Sequence, residues 1–570
     1  ALIYSTYLGG VSDEIVTSMI VDAADNLYLY GVTGSPDFPI DTGAYQKTFK
    51  GGLEYTPHAF NGNYFPDGTD IYVCKFSATG NKLLASTFIG GSDNDGINCN
   101  NRDLNDEPLD SLQYNYGDYY RGEIDLDKSG NVYVVTSTRS SDFKIVNGFD
   151  NTLGGLQDAL VFKMDNSLSN LIWSSFLGGS SNDGAYSLIL DDTSNVYVTG
   201  GTASVDFPVS SNAIQKNYKG AVDGFVAKIK ADGSSIVSST YWGTDKYDQS
   251  FFVQLDKNND VYLFGQTEGK IIVQNAAYSN PNSSQFVTKI NNSLTKIGFS
   301  TVVGNGQNLP NICPTAFLVD LCGNIYVAGW AAGFKKGPNG GNLPTADMPI
   351  TVGTLDGTTA GFDFYLMVLG ANANSLTYGM YWGGDLSQEH VHGGTSRFDK
   401  KGIVYQSLCT GCGGNDDYPV MPPGTWPNKG GNVNGSTNCN NAVFKIDFQP
   451  KPIDAEFTVD SAKGCAPFFV KFVNKSVAWT DYIWDFGNGD TTSVIPSPTH
   501  TYTIPGTYKV KLITRNRLCN TIDSTFLTIT VYPGITADFD AMHVKCTDTV
   551  KFTDKSITNP VTWLWNFDDG

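Results

Sequence analysis

The chain reads as an all-β protein: a six-bladed β-propeller closed by its N-terminal strand and followed by immunoglobulin-like β-sandwiches. Three observations predict this. An aromatic-rich phrase ending in glycine, Leu2-Ile3-Tyr4-Ser5-Thr6-Tyr7-Leu8-Gly9-Gly10, returns at 83–91, 171–179, 236–243, 297–304 and 376–384. A second phrase, opening on Asp with Tyr six residues later, follows each of them. Composition then shifts at Gln449-Pro450-Lys451-Pro452, a stiff linker in polyproline-like form. Repetition in a fixed order is the mark of stacked supersecondary units.

The second phrase starts at Asp22, Asp127, Asp191, Asp256, Asp320 and Asp399 and reaches Tyr28, Tyr133, Tyr197, Tyr262, Tyr326 and Tyr405. The Asp, Asn and Gly residues within it bond to nearby backbone and accept left-handed conformations, so a tight hairpin is expected. Each Tyr lies in a period-two run and belongs to a strand. One such Asp per repeat is a part of the turn, not a catalytic group. A third alternating phrase occupies Asp70–Phe76, Asp158–Met164, Asp223–Ile229, Gln285–Ile290, 363–369 and 441–447.

Together these make four short antiparallel strands per unit. A sheet with two apolar faces needs neighbours, and stacking around an axis supplies them while protecting the edges. The chain opens on a fourth-strand phrase and the sixth unit stops after its third, so residues 2–8 are expected to complete the sixth sheet. The units exceed the roughly 40–50 residues of compact propeller repeats. The excess lies in insertions at 51–68, 99–120, 331–341 and 409–440. Insertions fall on loops, where binding concentrates.

Residues 1–449 are thus expected to form the propeller, and 450–533 a small sandwich carrying Trp484-Asp485-Phe486-Gly487-Asn488-Gly489 and His500-Thr501-Tyr502. A second copy begins at Ala537-Asp538-Phe539 and repeats the motif as Trp565-Asn566-Phe567-Asp568-Asp569-Gly570, so 534–570 reads as the incomplete start of another sandwich.

Two families resemble these segments. Residues 1–449 resemble the bacterial β-propeller repeats called SBBP, through Asp37-Phe38-Pro39, Asp206-Phe207-Pro208, Gly155-Leu156-Gln157-Asp158-Ala159 and the run 191–200. The sixth unit departs from the pattern, with Ile403 where Asn is usual. Residues 453–532 resemble a PKD domain. The pairing implies a secreted or surface protein of the Bacteroidota, on the extracellular side of a Gram-negative outer membrane, exported by type IX secretion. Partners would then include secretion-machinery or surface-assembly proteins.

A net charge of −20, from 57 acidic and 37 basic residues, disfavours nucleic acid or an anionic membrane as partner. No apolar run is long enough for a transmembrane helix. The ten cysteines suggest disulfides of the kind exported proteins form: Cys465 with Cys519, Cys313 with Cys322, Cys74 with Cys99, and Cys409 or Cys412 with Cys439. The Cys409-x-x-Cys412 spacing also suits a metal or redox site, but no fourth ligand is at hand.

No nucleophile elbow, zinc-protease helix or phosphate loop occurs, and the chain reads as needing no cofactor. Asp93 and Asp95, with Asp103, Asn105, Glu107 and Asp110, place hard oxygens at alternating positions. Calcium is the ion such a loop would take, a solvated polar loop being the plainer use. Tyr114, Tyr116, Tyr119, Tyr120 and Trp426 lie on insertions among polar residues, as rings that stack on sugars or form a protein contact. The favoured function is a non-enzymatic, secreted or cell-surface protein whose propeller serves adhesion or glycan or surface-protein binding, with PKD domains as spacers. The alternatives are a polysaccharide-active enzyme or its accessory module, and a structural component of a surface assembly.

Overall fold

The structure is a computed structural model and describes residues 4–56, 63–98, 112–331, 344–387, 389–391, 397–399, 402–411, 414–415, 417–422, 440–448, 453–477, 479–516, 521–558 and 560–568. It divides into two compact units, Ala1–Phe448 and Gln449–Gly570.

In the first unit six antiparallel sheets follow one another along the chain. The first contains Glu14–Val21, Leu27–Thr33, Asp70–Phe76 and Leu83–Ile89; the second Glu123–Leu126, Val132–Thr138, Asp158–Met164 and Leu171–Leu177. The third contains Asp183–Leu190, Val196–Thr202, Asp223–Ile229 and Ile236–Trp242; the fourth Asp248–Leu255, Val261–Thr267, Gln285–Ile290 and Ile297–Val303. The fifth contains Ile312–Val319, Ile325–Ala331, Phe364–Leu369 and Leu376–Trp382, and the sixth Arg397–Phe398, Ile403–Thr410 and Asn440–Asp447.

One turn builds each sheet's first hairpin. Asp127 Oδ1 accepts the Ser129 and Asn131 amides, both at 2.9 Å, and Oδ2 accepts the Asn131 side chain. Three residues after each turn Asp the backbone is left-handed, with φ between 59° and 82° at Asp25, Gly130, Ser194, Asn259, Gly323 and Gly402. A lysine on the third strand closes the group: Lys163 Nζ lies 3.1 Å from Asp127 and 4.7 Å above the Tyr133 ring. Lys75, Lys228 and Lys289 do the same in the first, third and fourth sheets. In the fifth, Val368 stands opposite Tyr326, whose hydroxyl donates to Asp320 instead. Burial works to raise the Asp127 carboxyl, but its bonds from Asn131 and Lys163 outweigh that and hold it below the ordinary range.

Neighbouring sheets share cores. Tyr28 and Val73 pack with Val132 and Leu160, Trp173 with Phe225, Tyr197 with Leu263, Phe264 with Val327, and Leu366 with Phe444. The second strands of the second to fifth sheets are buried throughout, because both of their faces meet another sheet.

The all-β class holds, but the closed six-bladed propeller is corrected. None of these sheets curls shut on itself, and the sixth has three strands. Residues 4–8 lie outside every strand. The Tyr4 ring rests against Gly80, in the last hairpin of the first sheet, and Tyr7 is 103% exposed. Apolar alternation marks a segment able to be a strand, but a strand also needs a partner edge in register.

The interior is crossed by an insertion. Tyr116–Tyr120 forms a short 3-10 turn, and the segment around it bonds to several sheets at once. The Leu112 carbonyl accepts Gln249 Nε2 at 2.7 Å and the Tyr186 hydroxyl at 3.1 Å. Asn115 Nδ2 donates to Gln266 at 2.9 Å. Arg121, almost wholly buried, donates to Asp118 at 2.9 Å and to the Pro314 carbonyl at 2.9 Å, with its guanidinium over Phe251.

The second unit opens with a sandwich. Phe457–Val459, Phe468–Asn474 and Thr499–Tyr502 form one sheet; Lys463–Cys465, Thr521–Tyr532, Gly506–Asn516, Asp481–Asp485 and Thr491–Thr492 form the other. Trp484 fills the core against Phe457 and Phe472. His500 stacks on Phe486 at 4.2 Å. Strands Phe539–His543 and Val550–Asp554 begin a second copy, where Trp565 meets Phe539 and Phe552 but stays 37% exposed.

Two substitutions test these joints. Asp191→Ala removes the acceptor for Thr193 and Asn195 and is expected to lower stability by about 1–3 kcal/mol in urea unfolding. Arg121→Met takes the cation from a buried Asp118, which among the described residues keeps only the Tyr114 and Asn115 donors, and is expected to cost about 3–5 kcal/mol in the same measurement.

Candidate functional site

The insertion at 51–68 holds an aromatic ring on the surface. Tyr55 and Phe65 pair backbone to backbone, each amide donating to the other carbonyl at 2.9 Å. Their rings turn inward and pack with Val32, Ile97, Tyr119 and Tyr120. Alternation along an extended backbone then sends the neighbours Glu54 and Tyr64 outward.

Tyr64 is fixed from both sides. Its amide donates to Asp13 Oδ2 at 2.6 Å, and its carbonyl accepts the Ser12 hydroxyl at 3.2 Å. Its ring is 48% exposed, and its hydroxyl donates to Glu54 Oε1 at 3.1 Å. That bond and the charges of Glu54 and Asp67 raise the phenol above its usual range. The result is a fixed aromatic face bordered by carboxylate acceptors, with Leu53 also exposed alongside in sequence. Such a surface can stack on the C–H face of a sugar ring while carboxylates accept its hydroxyls.

Of the aromatic residues expected to be exposed on the 99–120 insertion, three are wholly or partly buried. Tyr119 and Tyr120 are interior, and Tyr114 is half-buried, stacked on Tyr247 at 4.6 Å. Tyr116 lies in the 3-10 turn, its side chain outside the described residues, as is all of Trp426. Tyr64 was missed because no repeat or motif marks it. The signal present was an insertion in which Tyr55, Tyr64 and Phe65 alternate with polar neighbours.

The proposed calcium loop is only partly described. Asp95 is buried and accepts Gly91 N at 2.7 Å and the hydroxyls of Ser140 and Thr138. Asp93 accepts Asn94 N and faces Arg139 at 3.9 Å. These partners all bring hydrogens. Asp103, Asn105, Glu107 and Asp110 lie outside the described residues. Among the described residues no three His, Cys, Asp or Glu side chains gather as a metal site.

The disulfide pairings through Cys74, Cys313, Cys409 and Cys465 are corrected. Cys74, Cys313, Cys409 and Cys465 carry free thiols. Cys74 and Cys313 are buried in their sheets, committed to packing, and Cys313 accepts a contact from Arg121 at 3.2 Å. Cys322 is disulfide-bonded, and not to Cys313. Cys99, Cys412, Cys439 and Cys519 lie outside the described residues. No described helix is long and apolar enough to cross a membrane.

Residues 449–531 match the PKD domain family. No curated protein matches the chain. Carbohydrate-binding modules of the β-sandwich superfamily are 26% identical over 16% of this chain and 46% of that one, with a TM-score of 0.14. The chain thus spans under half the length of that relative. The PKD1 domain of the Vibrio cholerae metalloprotease PrtV is 30% identical over 14% of this chain and 95% of that one, with a TM-score of 0.12. The GH93 α-L-arabinofuranosidase of Fusarium graminearum is 10% identical over 76% of this chain and 93% of that one, with a TM-score of 0.36. The SBBP resemblance, and the Bacteroidota and type IX secretion it implied, find no support among these matches and are withdrawn. What the match establishes is a PKD domain at residues 449–531.

Proposed function

We propose that this chain is the accessory, carbohydrate-binding part of a polysaccharide-active protein that works outside the cell, with its PKD domain as a spacer. The adhesion reading rested on the loop face of a closed propeller and is withdrawn with it. The observation that carries the present reading is Tyr64: an exposed ring, clamped through its own backbone by Ser12 and Asp13 and hydrogen-bonded to Glu54. A ring already held in place loses little freedom when a sugar stacks on it, which favours binding. Neighbouring carboxylates and the overall charge of −20 point to neutral glycans, since acidic ones would be repelled.

Affinity gel electrophoresis against a panel of neutral polysaccharides tests this. At least one polysaccharide should retard the chain. Tyr64→Ala should weaken that binding roughly tenfold or more, as loss of an aromatic anchor does, with the melting temperature unchanged. Tyr64→Phe keeps the stacking face and should stay within a few-fold of the parent. Retardation by none of the panel, or unaltered binding by Tyr64→Ala, would overturn the assignment.

A further inference from the structure

Each passage from one sheet to the next turns at a glycine flanked by two polar side chains. One is the first residue of the third strand being left, or stands just before it: Asp70, Asp158, Asp223, Gln285 or Asp363. The other stands at or near the opening of the next sheet: Asp95, Asp183, Asp248, Asn311 or Glu389. At Gly90, Gly178, Gly243 and Gly383 the two close on the glycine between them. A Cβ on Gly90 would lie 2.4 Å from Asp70 Oδ1 and 2.9 Å from Asp95 Oδ2. At Gly178 it would meet Asp183 and Asp158, and at Gly383 Glu389 and Asp363, all within 2.8 Å. All eight carboxyl groups are buried, none more than 1% exposed.

Their surroundings supply hydrogens. Asp70 accepts the Lys50 and Gly51 amides and Gln46 Nε2, while Asp95 takes Gly91, Ser140 and Thr138 as described above. Asp158 accepts the Gly154 and Gly155 amides, and Asp183 accepts Gly179 N and Ser204 Oγ. Asp223 takes Gln215 Nε2 and the Lys219 and Gly220 amides, and Asp248 takes the amide and hydroxyl of Thr244. In the last joint Thr410 donates to Glu389 Oε1, while Asp363 Oδ1 and Glu389 Oε2 have no hydrogen-bond donor among the described residues. The charges facing the pairs are few: Lys50 and Asp142 at the first, Asp150 and Asp206 at the second, Lys219 at the third and Asp356 at the last. Tyr218 and Tyr241 stand near the second and third, and Tyr418 near Glu389.

The fourth passage is the natural control. Gln285 and Asn311 take the same two stations, with Gln285 Oε1 accepting Asn311 N at 3.0 Å and Gln285 Nε2 donating to the Ile312 carbonyl at 2.9 Å. An amide pair carries hydrogens and no charge. Two buried carboxylates at one point cannot both stay ionised at modest cost. A cation would meet N–H and O–H hydrogens, so a proton is the neutraliser that fits.

We infer that each of the four carboxyl pairs takes up a proton in the neutral pH range and acts as a proton-dependent clasp between successive sheets. Burial, followed by the charge of Asp70, raises Asp95 to about 8, and burial raises Asp183 to about 7 and Asp158 to about 6. These values belong to pairs rather than to single residues. A folded-state affinity for protons above the unfolded one favours the fold at low pH. Stability is therefore lost as pH rises from about 4 through about 8. The turn residues Asp22, Asp127 and Asp191 work the other way, being lowered, and their contribution is lost below about pH 4.

The test uses the full chain. Infrared spectra at pH 7 should show the C=O stretch of protonated carboxyl groups, growing as pH falls to 6 and fading as it rises to 9. Asp183→Asn should remove the part of that band that titrates near pH 7 at the second pair. The melting temperature should fall on the order of 5 °C from pH 5.5 to 8.5. The combined variant Asp95→Asn, Asp183→Asn, Asp248→Asn and Glu389→Gln should lose most of that dependence. Absence of the band at pH 7, a melting temperature that holds or rises over that range, or a band abolished by millimolar calcium would overturn the inference.

Discussion

The constraint on which the N-terminal unit depends is the passage between sheets. At each one the chain must leave a buried edge and enter another with its polar groups paired, because an unpaired buried group costs as much as a lost hydrogen bond. A glycine without Cβ lets two acidic or amide side chains close over the backbone, and those side chains collect the turn's amide hydrogens. The register of the next sheet follows. Asp183 both receives Gly179 N and opens the third sheet's first strand, so one residue ends the crossing and sets the ladder.

The far end of each sheet is managed differently. There the hairpin is open to water on one side, and the Asp is held by its own turn amides and, in the first four sheets, by a lysine lying over the Tyr ring. The same residue type thus serves twice in one repeat, charged at the exposed turn and crowded against a second carboxyl at the buried one. What separates the two uses is solvent and a cation, both local conditions of the folded chain.

Much of this was legible early. Asp at position zero and Tyr at plus six marked the hairpins, since tight turns admit few residue types and strands alternate with period two. The third-strand lysines went unread, although Lys75, Lys163, Lys228 and Lys289 recur in sequence, because their purpose appears only when Tyr133 is set opposite Lys163 by the ladder. Tyr119 and Tyr120 look like loop aromatics in a polar stretch, yet they fill the interior, because the insertion folds inward across several sheets. The pairings expected for Cys74 and Cys313 failed for a related reason. Sequence proximity says nothing of whether Cβ vectors meet, and Cys74 and Cys313 point into packed sheets.

By itself the sequence determined the all-β class, the repeating hairpin, the place of each turn and the PKD domain. Each of these is set by contacts between residues close along the chain or by a motif read whole. Tertiary structure alone decided how the sheets meet. It left residues 4–8 outside the sixth sheet, put Tyr64 rather than Tyr119 on the surface, and brought Asp70 against Asp95. Those outcomes depend on which edges and faces come together, and residues distant in sequence carry no local mark of the neighbours they will have.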